Sequence, residues 1–429
     1  MESLTARGGA AKLFTVIKNR INSGCGALLL GLLICSCGKK EEFTSKDAEA
    51  GKPLVVQAVP LSLGAWSPGQ RHAAELFGQT MSRLLNTHRS LELARNLDEV
   101  SVVERAFAGI DLHSSAFAEN FHQRMTDRAR ELDSNPFKPF EAATTHFLGL
   151  RSHDGKDCIR MRVVFHTGAC TFLECFVAFN ANDEPTIADF YNDALGLTLE
   201  QNFRTLILST VPNLDNATLD RLSGSSDPSV RGVLSKYLDA VRNKEHNAAR
   251  ALFPELPAIL VHDKVFFMLH ARNLSAAGET AHYEDFLEQG RTWFPEDPAM
   301  DFLLAEEYSK EKLYDRVDVC YQNIVRKVED DGYIEFLRAL NQKEAGHTEA
   351  ALELAGKTVA VEPELEVAYE LRLGLALKLH DFGQASSIIE VLEKRFHKTF
   401  RVTPELGPEY QEFGKSPEYQ KWLESHPAP

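Results

Sequence analysis

The second half of this 429-residue chain repeats a pattern with a period of about 34 residues, and that spacing limits the fold more than any other feature. Ala351 and Ala385, each early in an apolar stretch with helical periodicity, lie one period apart. Pro295 and Pro363, each at the end of such a stretch, lie two periods apart. A simple helical bundle explains apolar positions every 3.6 residues, but it does not explain a period of this length. The spacing therefore predicts stacked pairs of helices.

This pattern resembles the tetratricopeptide repeat, a helix–turn–helix unit whose length is the same as this period. The family has a small residue where its first helix is crossed closely by its second. Ala271, Ala305 and Ala339 occupy that position here, whereas Leu373 departs from it. The resemblance implies a contiguous series of four units: 264–297, 298–331, 332–365 and 366–399.

Both ends of this series carry helix signals of their own. Asp227 stands immediately before a proline, which is typical of a helix start and predicts a degenerate helix pair at 230–263. Ser416 also precedes a proline, so residues 400–429 are expected to include a capping helix that covers the last apolar face. The region 230–399 is thus predicted to be an α-solenoid.

Stacked helix pairs of this kind present an extended concave surface. In the tetratricopeptide family fixed positions of each first helix line that surface, and the resemblance places there Val265, Met268, Arg272, Phe302, Glu306, Lys310, Tyr333, Phe336, Lys343, Val367, Glu370 and Lys378. We expect Met268, Phe302, Tyr333 and Phe336 to expose apolar surface that a bound peptide or helix would cover. The alternative is that these side chains pack between repeats or against the N-terminal domain.

Residues 55–212 have a different character. Helical patterns dominate first, and strand patterns follow. The stretch "DCIRMRVVFH" alternates apolar residues with Arg160, Arg162 and His166, which predicts a half-buried strand. Turn signals separate it from "TTHFLGLRS" before it and from "CTFLECFVAF" and "PTIADFY" after it. Helices followed by a four-stranded antiparallel meander make an α+β domain, so the whole chain is predicted to be mostly α.

The end of this domain carries a clear local signal. Thr198 and Gln201 form a T-x-x-Q capping box, which predicts a helix from Leu199. The order of elements is similar to that of the nuclear-transport-factor-like cone fold. Residues 213–229 are interpreted as the linker to the repeats.

The first residues read as an export signal. A basic stretch precedes the apolar run "LLLGLLI", which is much too short to span a bilayer. The following "CSC" resembles the lipobox of bacterial lipoproteins, with Cys37 as the lipidated residue and Cys35 a poorer fit. Residues 1–36 would then be a signal peptide and 37–54 a lipidated tether. The resemblance implies a lipid-anchored envelope protein, not a cytoplasmic one. No Asp follows Cys37, and the lipoprotein resemblance then implies sorting to an outer membrane, on the side facing the periplasm.

Chemistry-bearing patterns are sparse. The resemblance to cone folds makes Asp189 and Tyr191 candidates for proton transfer or hydrolysis, with His146 and His166 as neighbours, although Asp189 could instead face solvent or meet an arginine across the sheet. There is no phosphate-binding loop, zinc helix or nucleophile elbow. We therefore predict no enzyme, no cofactor and no metal.

The exported cysteines leave one question open. Cys158 lies on a strand next to the strand that carries Cys170 and Cys175, so a disulfide with either is conceivable. Separate, buried thiols are the simpler interpretation.

The formal net charge of −15 argues against nucleic acid as a partner, because phosphate backbones would be repelled. The leading hypothesis is a membrane-anchored scaffold whose repeats bind another protein or a peptide segment. The alternative is a ligand-binding or enzymatic α+β domain with the repeats as a docking arm, and a third is a purely structural part of an envelope assembly.

Overall fold

The computed structural model describes residues 63, 65–112, 116–131, 135–328, 331–403 and 406–426. The predicted signal peptide, Cys37 and the tether lie outside this range. Within it the chain forms two units, one ending at Met300 and the other beginning at Asp301.

The first unit begins with helices. A capping box starts the first of them, because the Ser67 side chain accepts from the Gln70 N–H while the Gln70 side chain accepts from the Ser67 N–H. The helices are α1 (Pro68–Asn86), α2 (Ser90–Ala94), α3 (Glu99–Ala106) and α4 (Ala116–Arg130), with a short 3₁₀ helix at Lys138–Ala142.

An antiparallel sheet follows, and its strands are ordered as they occur in the chain. The strands are β1 (Ala143–His153), β2 (Lys156–Phe165), β3 (Cys170–Phe179), β4 (Pro185–Asn192) and β5 (Leu197–Thr198). The four predicted strands are confirmed. The fifth has only two residues, too few to show an alternating pattern in the sequence. Helix α5 (Leu199–Thr210) starts at the predicted Thr198–Gln201 capping box.

Strand β2 is buried on both faces over most of its length. Ile159, Met161 and Val163 of β2 join the hydrophobic core that the helices cover. The opposite face of β2 carries Arg160 and Arg162, which are only 6% and 1% exposed. The prediction of a half-buried strand was therefore wrong, because polar side chains on the second face are covered too.

The predicted linker 213–229 contains a packed helix, α6 (Asn216–Ser223). Asp215 caps it by accepting from the Thr218 N–H. Thr218 is fully buried, and its hydroxyl accepts from the Asp111 N–H at 3.0 Å. This segment is therefore part of the first unit's fold.

Paired helices make up the rest of the described chain. In the first unit they are α7 (Pro228–Arg242), α8 (His246–Leu252), α9 (Ala258–Val261), α10 (Lys264–Ala277) and α11 (Thr280–Trp293). Helix α12 (Ala299–Lys310) begins at the end of that unit. The others are α13 (Tyr314–Val328), α14 (Gly332–Glu344), α15 (Thr348–Val361), α16 (Glu366–Lys378), α17 (Phe382–Phe396), α18 (Pro408–Gly414) and α19 (Pro417–Ser425).

The predicted period is confirmed by the helix bounds. The second helices of the four pairs begin at Thr280, Tyr314, Thr348 and Phe382, so one period separates each start from the next. The small residues Ala271, Ala305 and Ala339 are all buried on the first helices, where close helix crossing requires them. The helical half of the chain is therefore consistent with a solenoid of tetratricopeptide-like hairpins.

The predicted caps at both ends are present. Asp227 accepts from the Ser229 N–H at the start of α7, and Ser416 accepts from the Tyr419 N–H at the start of α19. Trp422 packs in a core cluster with Phe413, as a terminal cap requires. In the part of the chain that the structure describes, no helix is long and apolar enough to cross a bilayer.

We expect a methyl group at Gly290 to be poorly tolerated. A Cβ there would lie 2.5 Å from Phe267 Cζ and 2.6 Å from Met300 Sδ, so Gly290→Ala should lower the free energy of unfolding by about 1–3 kcal/mol. Gly232→Ala in α7 is the matched control. A Cβ there meets nothing within 4 Å, so the free energy should rise by about 0.5–1 kcal/mol. Urea unfolding followed by circular dichroism measures both, and equal effects would contradict the close crossing at Gly290.

Candidate functional site

Asp189 lies inside the fold and caps a helix. Its Oδ1 accepts from the backbone N–H groups of Leu199 at 3.0 Å and Glu200 at 3.4 Å, at the start of α5. Burial raises the pKa of Asp189 to about 6. The expectation that this carboxyl faces solvent or meets Arg160 or Arg162 was wrong, because the first turn of α5 holds it.

Tyr191 is also committed to contacts within the fold. Its hydroxyl donates to Asp297 Oδ2 at 2.7 Å, and the Lys264 ammonium binds the same carboxylate. Burial first, and the nearby Asp297 charge second, raise the pKa of Tyr191 well above its usual value. The phenol is therefore held as a neutral hydrogen-bond donor at neutral pH.

A group of charged side chains lies next to Tyr191 on the same side of the sheet. We call Arg151, His153, Arg160, Glu174 and Asp193 the sheet-face charge cluster. Glu174 binds Arg151, with 3.2 Å between Nε and Oε1, and also binds His153. Arg160 lies between two carboxylates, 3.8 Å from Glu174 and 3.9 Å from Asp193.

Burial and neighbouring carboxylates both act on the protonation of this cluster. Burial lowers the pKa of His153, but the hydrogen bond to Glu174 and the nearby carboxylate charges together outweigh it and raise that pKa. The pKa of Asp193 is raised well above its usual value by burial and by the neighbouring Glu174. Removing one partner from such a network typically costs about 3–5 kcal/mol, because it leaves a buried charge uncompensated.

The structure brings a different histidine to Tyr191 from those predicted. The ring of His153 lies 4.8 Å from the ring of Tyr191, whereas His146 and His166 are exposed. His153 has the same strand parity as Arg151 at the end of β1, and this was the only signal in the sequence that could have found it. No group of His, Cys, Asp and Glu suited to a metal ion occurs among the described residues.

No disulfide joins the described cysteines. Cys158, Cys170, Cys175 and Cys320 are all buried thiols. The register pairs Cys158 with Phe176 and Cys175 with Ile159, so these two thiols lie on opposite faces of the sheet. Burial raises the pKa of both Cys158 and Cys175. The interpretation as separate, buried thiols is confirmed for these cysteines.

The predicted groove residues are less accessible than expected. Met268, Tyr333 and Phe336 are 3–4% exposed, so the expectation that they expose apolar surface was wrong. The alternative, packing within the protein, holds for these three. The remaining members fall into three sets. Val265 is buried, Lys310 and Lys378 are exposed, and Arg272, Phe302, Glu306, Lys343, Val367 and Glu370 are intermediate.

Comparisons with known proteins add little. No protein-family model matches the chain, and no curated protein matches it. It is similar to a solved structure titled "MamA MSR-1 C2", with 10% sequence identity and a TM-score of 0.27. That similarity covers 44% of this chain and 98% of the other. It is too low to add to what the helix bounds show.

The buried Asp189 predicts a specific pH dependence. Its folded-state pKa is about 6 against 3.8 in the absence of the fold, so its favourable contribution is complete below about pH 4 and is lost as the pH rises through 6. Asn keeps the acceptor oxygen without the charge. The stability of Asp189→Asn relative to the natural chain should therefore rise by up to about 3 kcal/mol between pH 4 and pH 7.

Asp227→Asn is the control, since the Ser229 N–H bond lowers the pKa of this exposed cap. Its relative stability should fall over the same pH range. Chemical denaturation at a series of pH values measures both variants. A flat profile for Asp189→Asn would show that the Asp189 carboxyl is not desolvated.

Proposed function

We propose that this chain is a helical-repeat protein that binds another protein and is held at a membrane by a lipid on Cys37. The observation that supports the binding role is the regular series of helix pairs, whose second helices begin at a constant interval along the chain. Arrays of this kind offer an extended surface because each pair contacts only its neighbours. The formal net charge of −15 favours a protein partner over nucleic acid.

Charged side chains on the first helices make most of the proposed contacts with the partner protein. With Tyr333 and Phe336 buried, the accessible groove residues of the second unit are chiefly charged. Lys310 is tied to Glu306 at 3.1 Å and to Glu307 at 2.7 Å, within reach of solvent. Charged surfaces mainly determine specificity and association rate. The partner is therefore expected to present its own charged groups to these first helices.

The alternative role for the α+β domain has less support. Asp189 already accepts from the start of α5, and the Tyr191 hydroxyl already donates to Asp297. A proton-transfer residue needs a substrate within hydrogen-bond reach. Both candidate side chains are engaged by the fold, so the repeats remain the better candidate for the functional surface.

Charge reversal on the first helices should weaken partner capture. The bait is the chain from residue 37 with Cys37→Ala, applied to solubilised bacterial envelopes. Lys310→Glu combined with Lys378→Glu should lower the recovery of a captured partner roughly tenfold, because opposite charges across the contact become like charges.

The control is Lys357→Glu combined with Lys394→Glu on second helices. These lysines also form pairs four residues apart, with Glu353 and Glu390. The control changes the charge by the same amount and should leave recovery unchanged. If both double variants behave alike, the first helices are not the binding surface.

Lipidation should depend on Cys37 alone. Metabolic labelling with an alkyne fatty acid, followed by membrane fractionation, should label the full chain and the Cys35→Ser variant and find both in membranes. Cys37→Ser should lose the label and the membrane association, because several acyl chains on one cysteine provide the stable anchor. Label retained on Cys37→Ser would contradict the proposed anchor.

A further inference from the structure

We infer that helix α5 of the α+β domain occupies the first helix pair in cis, so that the face of α10 bearing Val265, Met268 and Arg272 is closed to an outside partner. These residues are spaced by three and four positions and therefore share one face of α10. The inference gives the α+β domain a function of its own, as the cap of the repeat series. Its consequence for partner binding rests on the proposed function.

The most direct contact is made by Arg272. Its Nη2 donates to Asn202 Oδ1 on α5 at 2.7 Å. The contact is partly buried, and burial lowers the pKa of Arg272 to about 10. A charge placed there is costly unless it is hydrogen-bonded, and Asn202 supplies that bond.

The beginning of α10 is joined to the sheet as well. Lys264 binds Asp297, and the same carboxylate accepts from Tyr191 of β4. Gly196, in the turn before β5, has a φ of +63° and fits closely against this point. A Cβ there would lie 2.7 Å from Ala299 Cβ and 3.3 Å from Lys264 Cε. The turn before β5 therefore fits closely against the start of α10, where Lys264 and Asp297 also form an ion pair.

Helix α5 is not free to leave this position. Its other side carries Leu199, Phe203 and Ile207, which belong to the core between the sheet and the N-terminal helices. The chain after α5 is held too, because Arg242 of α7 donates to the Val211 carbonyl at 2.9 Å. An outside helix could replace α5 on α10 only if the α+β core opened.

A repeat series needs its terminal apolar face covered. At the C-terminal end Trp422 and Phe413 do this with short helices. Near the other end α10 packs against both α8 of the preceding pair and α5, and the buried face of α5 anchors it in a separate core. The α+β domain is thus built as a permanent cap, and partner recognition is left to the first helices that follow α10.

Hydrogen exchange on the full chain with Cys37→Ala tests the cap. Arg272→Ala should raise the exchange rates of backbone amides in α10 roughly tenfold, since it removes a bond to α5, whereas α5 should stay protected because its other side lies in the α+β core. Arg291→Ala is the control, because Arg291 lies on α11 and its Nη1 donates to Glu288 of the same helix at 2.8 Å. It should leave α10 unchanged.

Asn202→Asp is a second variant that tests the same contact without removing it. It keeps an acceptor for Arg272 and adds an opposite charge, so both helices should stay at least as protected as in the natural chain. Exchange in α10 that is unchanged by Arg272→Ala would overturn the inference. Faster exchange in both helices with Asn202→Asp would overturn it as well.

The partner captured as described under the proposed function tests whether the α10 face is closed to an outside protein. Its binding should slow exchange in α12, α14 or α16 and leave α10 unchanged. Slower exchange in α10 would overturn the claim that this face is closed. If no partner is captured, the proposed function fails, but the exchange of α5 and α10 in the free chain still decides whether the cap exists.

Discussion

The carboxylate of Asp297 is the contact on which the arrangement of the first unit depends. It accepts from the Tyr191 hydroxyl at 2.7 Å, binds the Lys264 ammonium, and through Oδ1 accepts from the Ala299 N–H at 2.8 Å. One side chain thus joins β4, the start of α10 and the start of α12. The Asp297 side chain is only 17% exposed, so these donors offset the cost of removing its charge from water and stabilise the contact among the three elements.

The polar face of the sheet also depends on charged side chains that pair with one another. Arg160 and Glu174 are buried on strands whose other face already forms a hydrophobic core, and Asp193 is buried just after β4. Replacing Arg160 or Glu174 would leave a buried charge without its partner, which costs more than the net value of the intact network. Such networks favour one particular packing of elements.

Much of the fold could be predicted because its signals are local or periodic. The capping box at Thr198, the caps at Asp227 and Ser416, the alternation in β2 and the period of the helix pairs are each visible in the sequence, and each is present. The site was predicted less well. Asp189 and Tyr191 were selected as candidates for proton transfer, but their partners in the fold, α5 and Asp297, are 10 and 106 residues away. No spacing rule connects positions so far apart with different geometries.

By itself the sequence determined the element types, the order of the four long strands and the frame of the helix pairs, because hydrogen bonding and side-chain direction within an element follow from neighbouring residues. Only the tertiary structure decided which faces are covered. The positions carried over from the tetratricopeptide family identify a face of α10, but Arg272 meets Asn202 because α5 is held there by a core formed from distant segments. Burial is a property of the partner as much as of the residue. That is why Met268, Tyr333 and Phe336 were predicted to be exposed and are buried.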